Sequence, residues 1–154
     1  MCDEGYIWFH HTSMCYKLTV DELSWDEADA NCKNQGGNLA SVHDSKTSQF
    51  LRSLMPSTIV STSRLRVYIG GSLRDGQWTW TDGSPWNFRD WAVGHPTTRP
   101  NDNYLQMMSW YPDGGWSNAP NGFVTLDKYG FICQRKSGEK AEPTIEPEEN
   151  RGKT

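Results

Sequence analysis

Gln77-Trp78-Thr79-Trp80-Thr81-Asp82-Gly83 is the stretch whose reading decides the fold. Threonine and tryptophan alternate into an Asp-Gly turn signal, so the spacing predicts a short strand that stops at Asp82, with at least one of Trp78 and Trp80 in the core. From Asp82 to Asn103 no hydrophobic period is sustained. That segment is rich in Pro, Gly, Asn and Trp (Pro85, Trp86, Trp91, Pro96, Pro100) and is longer than ordinary connections. Its tryptophans argue against disorder, which leaves an ordered loop held down by its own aromatic residues, a type of element that often carries function. Strand signals lie on either side: Val67-Tyr68-Ile69 running into Gly70-Gly71, then Leu105-Gln106-Met107-Met108, and finally Phe131-Ile132-Cys133.

Two helices are expected further upstream. Ser24-Trp25-Asp26-Glu27 has the form of a capping box, in which the Ser24 hydroxyl accepts from the Glu27 amide and the Glu27 carboxylate reaches back. Trp25, Ala28 and Cys32 then share one face, with Asp26, Glu27, Asp29 and Lys33 largely elsewhere, and Gly36-Gly37 ends the helix. Cys32 therefore points inward. The second helix starts near Asp44 or Ser45, carries Phe50, Leu51 and Leu54 on its buried stripe, and ends before Pro56. A polar linker, Ser57 to Ser63, follows it.

The chain has 154 residues, of which 35% are apolar and 22% charged, and a net charge of −4, which suits one domain. That charge disfavours nucleic acid and anionic membrane surfaces as partners, since both require excess lysine and arginine. No apolar run reaches the roughly 18 residues of a membrane span. Residues 1–136 are expected to form the domain. Residues 137–154 contain no aromatic residue, two prolines and five acidic against three basic side chains, and are expected to form a disordered acidic tail or stalk. Cys2, Cys15, Cys32 and Cys133 allow three pairings, and none forms a CxxC pair with metal or redox spacing. Structural disulfides and an oxidising, extracellular setting, secreted or at a cell surface, follow from that pattern. His10-His11, read as neighbours on a strand with no third ligand nearby, are surface residues rather than a metal site.

Cys15-Tyr16-Lys17, Trp25 through Cys32, Gly37-Asn38-Leu39-Ala40-Ser41-Val42, Tyr68-Ile69-Gly70-Gly71, Trp78 through Gly83, Trp91 and Phe131-Ile132-Cys133 together resemble the C-type lectin-like domain. The resemblance spans residues 2–134. It implies an α+β fold in which the terminal strands pair, two helices flank antiparallel sheets, and a long irregular loop carries the ligand site. It also implies Cys32 bonded to Cys133 and, as in long-form members, Cys2 bonded to Cys15. The family's usual second bridge is missing, because Tyr104 and Asn121 stand at its positions, and the segment from Asn118 to Tyr129 is expected to be freer unless Trp110, Tyr111 and Phe123 pack it down.

Sugar-binding members hold a Ca²⁺ ion through a loop triplet, a later acid and an Asn-Asp pair after a tryptophan. Here those positions fall on His95-Pro96-Thr97, on Asp102, and on Ser117-Asn118 after Trp116. A hard cation takes 6 to 8 oxygen ligands, and this set supplies one carboxylate, an imidazole and weak neutral groups. A rival alignment through Arg99-Pro100-Asn101 puts a guanidinium where the cation belongs. The expectation is therefore no cofactor, with Asp102, Asn103 and Asn118 as the weak candidates should calcium bind. No nucleophile elbow, phosphate loop or zinc-hydrolase helix occurs, and the resemblance implies no enzymatic activity.

The expected function is recognition of a protein surface, or of an atypical glycan, through the loop face and without the calcium bridge. The candidate ligand-binding residues are His95, Thr97, Asn101, Asp102, Asn103, Trp110, Tyr111, Ser117 and Asn118. Trp110 and Tyr111 lead because aromatic side chains anchor interfaces and stack on sugars; Trp91 and Trp116 are read as structural. A calcium-dependent lectin with an irregular site and a structural matrix module are the alternatives.

Overall fold

The computed structural model describes residues 2–56, 64–111, 115–123 and 125–138. The linker expected from Ser57 to Ser63 and residues 139–154 of the expected tail lie outside these. In chain order the elements are β1 (Ile7–Phe9), β2 (Met14–Thr19), α1 (Trp25–Asn34), β3 (Asn38–Leu39), α2 (Ser45–Leu54), β4 (Leu65–Arg74), β5 (Gln77–Trp80), β6 (Tyr104–Met108), β7 (Trp116–Ala119) and β8 (Lys128–Lys136).

Both helices start where their sequences direct. Ser24 caps α1, and both arms of the capping box are present: Ser24 Oγ accepts from the Glu27 amide at 3.1 Å and Glu27 Oε1 from the Ser24 amide at 2.9 Å. Trp25, Ala28 and Cys32 are buried. Asp29 is buried as well, contrary to the expectation of an outward position, because it lies one turn after Trp25 on the same stripe. Lys33 Nζ at 2.9 Å and the Thr81 hydroxyl at 3.0 Å satisfy its Oδ2. The chain leaves α1 through Gly36 at φ +87°, and a Cβ on Gly37 would lie 1.9 Å from the Gln134 carbonyl oxygen, so only glycine fits there. Asp44 caps α2; Leu51 is fully buried, while Phe50 and Leu54 pack partly buried against the core.

The strands form one eight-stranded sheet in the order β1-β2-β8-β4-β6-β7, with β3 on β8 and β5 on β4. The terminal strands do pair antiparallel, with Lys17 opposite Cys133. The sheet is not antiparallel throughout, as the expected antiparallel sheets would be. β4 and β8 run parallel, with Val67 opposite Gly130. This is possible because the chain between them makes a long excursion through β5, the loop, β6 and β7 before returning. The disulfides are Cys2–Cys15 and Cys32–Cys133. The second closes a separation of 101 residues, a constraint of about 4 to 5 kcal/mol on the unfolded chain in the loop-entropy account.

At the positions of the missing bridge, Tyr104 packs its ring 4.9 Å from that of Trp25, and Asn121 binds Asp26 twice, accepting from its amide at 3.1 Å and donating to its Oδ2 at 2.8 Å. The Tyr68 hydroxyl donates to the Pro120 carbonyl at 2.5 Å and accepts from the Gly122 amide at 3.1 Å. Burial pushes that phenol up to about 12. Of the three side chains expected to pack the segment, Phe123 does so, 5.0 Å from the Tyr129 ring. Polar contacts from Asn121 and Tyr68 thus supply the remaining ties.

His10 and His11 lie in the turn between β1 and β2 rather than on a strand, and His11 Nε2 sits 2.7 Å from Asp44 Oδ2. This hydrogen bond, with those from the Thr47 hydroxyl and amide, outweighs desolvation and lowers the Asp44 carboxyl from 3.8 to about 2. A depressed carboxyl contributes stability above its unfolded value that is lost as pH falls through the folded one. Asp44→Ala is expected to cost about 1 kcal/mol at neutral pH through the lost cap, a Tm drop of roughly 4 °C. The variant should also lose less stability than the parent as pH falls from about 4 to about 2. Thermal melts across that range check both.

Candidate functional site

The long loop is fixed from below by aromatic packing. Trp116 on β7 is wholly buried, and the rings of Trp80, Trp86, Phe88 and Trp91 lie 5.8, 5.8, 5.9 and 6.0 Å from it. Trp91 also forms a bridge with Trp116, and the Ala92 amide donates to the Trp116 carbonyl at 2.9 Å. Trp78 and Trp80, two apart and so on one face of β5, both join this cluster, with Trp80 buried and Trp78 partly so. Both Trp91 and Trp116 are therefore structural.

The crest of the loop is fixed by one amide. Asn118 Oδ1 accepts from the Thr97 amide at 2.8 Å, while its Nδ2 donates to the Thr97 carbonyl at 2.9 Å and to the Asp102 carbonyl at 3.0 Å. β7 thus reaches across to hold the loop at two points, Thr97 and Asp102, both following the cis His95–Pro96 bond. Asn101 takes φ +72°, a left-handed conformation that asparagine tolerates, and the Asn103 carbonyl accepts from the Leu73 amide at 2.7 Å, anchoring the loop's exit to β4.

Beside this crest lies an open pocket of about 370 Å³. It brings together His95, Thr97 and Asp102 from the loop, Ser117 and Asn118 from β7, and Trp110 with Tyr111 from the turn after β6. Asn101 and Asn103 are not part of its lining. The Pro112-Asp113-Gly114 portion of that turn lies outside the described residues. Trp110 is only half-exposed, because guanidinium groups cover its ring: Arg64 Cζ is 4.6 Å and Arg66 Cζ 5.0 Å from the centroid. Arg66 is also paired to Asp127 at 2.8 Å. Arg99, its side chain 80% exposed, approaches Asp102 at 3.7 Å. Among the described residues, three lining arginines thus face a single lining carboxylate.

Sequence reasoning missed Arg64, Arg66 and Gln106, and considered Arg99 only as hostile to a cation. The available signals were Arg64 and Arg66 flanking Leu65, which puts them on one side of a strand, and a glutamine inside the otherwise apolar run from Leu105 to Met108. Gln106 is 2% exposed; its Nε2 donates to Ser117 Oγ at 3.1 Å and its Oε1 has no partner.

These residues do not fit a calcium ion. The Asn118 oxygen is taken by the Thr97 amide, the Ser117 hydroxyl by Gln106, and the one carboxylate faces Arg99. A hard cation at this position would lose most of its 6 to 8 oxygen ligands and meet a guanidinium instead. Among the described residues no group of three or more His, Cys, Asp or Glu side chains is arranged to hold a metal.

Residues 21–135 match the Lectin C-type domain family, and the chain belongs to it. It is 36% identical over 136 residues to the galactose-specific lectin nattectin of Thalassophryne nattereri, covering 87% of this chain and 80% of that protein. Among solved structures, a calcium-independent type II antifreeze protein superposes with a TM-score of 0.73 at 28% identity, covering 88% of this chain and 95% of that one. Human lithostathine superposes with a TM-score of 0.75 at 28% identity, covering 88% and 100%. The protein is thus a non-enzymatic ligand-recognition module of the lectin type.

Asn118→Ala removes three hydrogen bonds and leaves two carbonyls and an amide of the loop unpaired. The expected cost is about 1 to 3 kcal/mol, together with faster hydrogen exchange at the Thr97 amide. Amide exchange by NMR, run beside thermal melts, checks this.

Proposed function

We propose that this domain is an extracellular recognition module that takes its ligand on the long-loop face, in the pocket between the loop crest and Trp110, without a bridging calcium ion. The observation that carries this reading is the Asn118 amide, whose oxygen and nitrogen are spent on the loop itself. The site residues of the proposal are Trp110, Tyr111, His95, Thr97 and Asp102 around the pocket, with Ser117 and Asn118 as its support. Two disulfides favour an oxidising, extracellular setting, secreted or at a cell surface. Residues 1–136 form the binding domain in this reading, with the acidic tail as a spacer.

A protein surface and a glycan are both open to such a face. The concave shape, with aromatic rings beside a few convergent polar side chains, favours a compact unit, and so the glycan, over a flat protein surface. The resemblance to a galactose-specific lectin supports the same class. A calcium-dependent site on Asp102, Asn103 and Asn118 is disfavoured by the hydrogen bonds these residues already make.

A glycan array probed with the full chain in chelator tests the proposal. Bound glycans are expected to stay bound when calcium is withdrawn, and Trp110→Ala or Tyr111→Ala to weaken them by about 2 kcal/mol or more, the cost of a truncated hot spot. Binding abolished by chelator, or unchanged in both variants, overturns it.

A further inference from the structure

We propose that the ligand of this pocket is an anionic sugar unit, its sulfate or carboxylate held by Arg64 and Arg99 and one of its hydroxyls by Gln106. This inference rests on the pocket being the recognition site and specifies the chemistry of its occupant.

Charge comes first. The chain as a whole carries −4, yet among the described residues the pocket gathers three guanidinium groups against one carboxylate. Arg66 is committed to Asp127 at 2.8 Å, but Arg99 meets Asp102 at only 3.7 Å, and no carboxylate of the described residues pairs with Arg64. The Trp110 ring holds Arg64 in place at 4.6 Å without neutralising it. An arginine held by an aromatic face, with no acid of the described residues paired to it, is ready for charge-assisted hydrogen bonds to a planar or tetrahedral anion.

Gln106 supplies a second, independent observation. It is 98% buried by its 2% exposure, it lines the same pocket, and one end of its amide is unmatched. Exchanging the amide oxygen and nitrogen does not cure this, since the Ser117 hydroxyl serves either end and the other is then left over. A buried polar atom without a partner costs stability, so its retention beside the arginines suits a ligand that brings a hydroxyl. A simple anion would satisfy the arginines alone. A neutral sugar would satisfy Gln106 alone. An acidic saccharide satisfies both and offers an apolar ring face to Tyr111.

Titration of the full chain in chelator with a heparin-derived tetrasaccharide, an unsulfated hexuronate-containing tetrasaccharide and an uncharged tetrasaccharide tests the proposal. At least one of the two charged probes is expected to bind, more weakly as salt rises, and the uncharged one to bind at least tenfold more weakly. Arg64→Gln and Arg99→Gln should each reduce affinity about tenfold with unchanged Tm. A Gln106→Met, Ser117→Ala double variant removes the unmatched amide together with its partner. It should bind more weakly while melting no lower than the parent, a combination that a purely structural role does not produce.

The inference is overturned if neither charged saccharide binds, or if the uncharged probe binds equally well. It is overturned equally if an oligoglutamate peptide binds with the same arginine dependence while the saccharides do not. A ligand lost in Trp110→Ala but indifferent to both arginine variants refutes the anionic preference and leaves the pocket reading intact; one indifferent to Trp110→Ala as well refutes both.

Discussion

One side-chain amide, Asn118, ties the crest of the long loop to the sheet, and the proposed recognition face takes its form from that tie. Its oxygen takes one loop amide and its nitrogen two loop carbonyls, at 2.8, 2.9 and 3.0 Å. These bonds join Thr97 and Asp102, two points in the later part of the loop, to β7, which is itself anchored by the buried Trp116. The same bonds occupy the Asn118 amide that a cation would need. Stabilising the loop from within and coordinating a metal are competing uses of one residue, and the geometry here serves the first.

A similar substitution of polar contacts for another device recurs where the family's second disulfide is absent. Asn121 binds Asp26 through both ends of its amide, and Tyr68 satisfies the Pro120 carbonyl and the Gly122 amide. Hydrogen bonds of about 1 kcal/mol each are individually weaker than a covalent tie, but several together restrain the return limb. Of the two bridges present, Cys32–Cys133 links α1 to β8 and so secures the strand that pairs with β2.

The local structure was legible because its causes are local. The capping box at Ser24, the Asp44 cap and the Gly36-Gly37 stop are each set by a few neighbouring residues, and each is present. The disulfide pairing was not determined by spacing and came from family resemblance. Asp29 was misplaced because its charge argued outward while its position one turn after Trp25 put it inside, where Lys33 and Thr81 meet it. The parallel β4–β8 pair joins segments more than 60 residues apart and leaves no periodic trace. The same holds for the arginine pocket: Arg64, Arg99 and Gln106 come from three segments, and only the folded chain brings them to one cavity.

The central claim is that this lectin-type domain has an internally locked loop in place of a calcium-dependent one. Thermal unfolding of the full chain in millimolar Ca²⁺ and again in chelator tests it most directly. A site filled at 100 times its Kd stabilises a fold by about 2.7 kcal/mol, several degrees for a domain of this size. The account predicts the same Tm in both conditions, whereas a calcium-dependent rise of several degrees would contradict it.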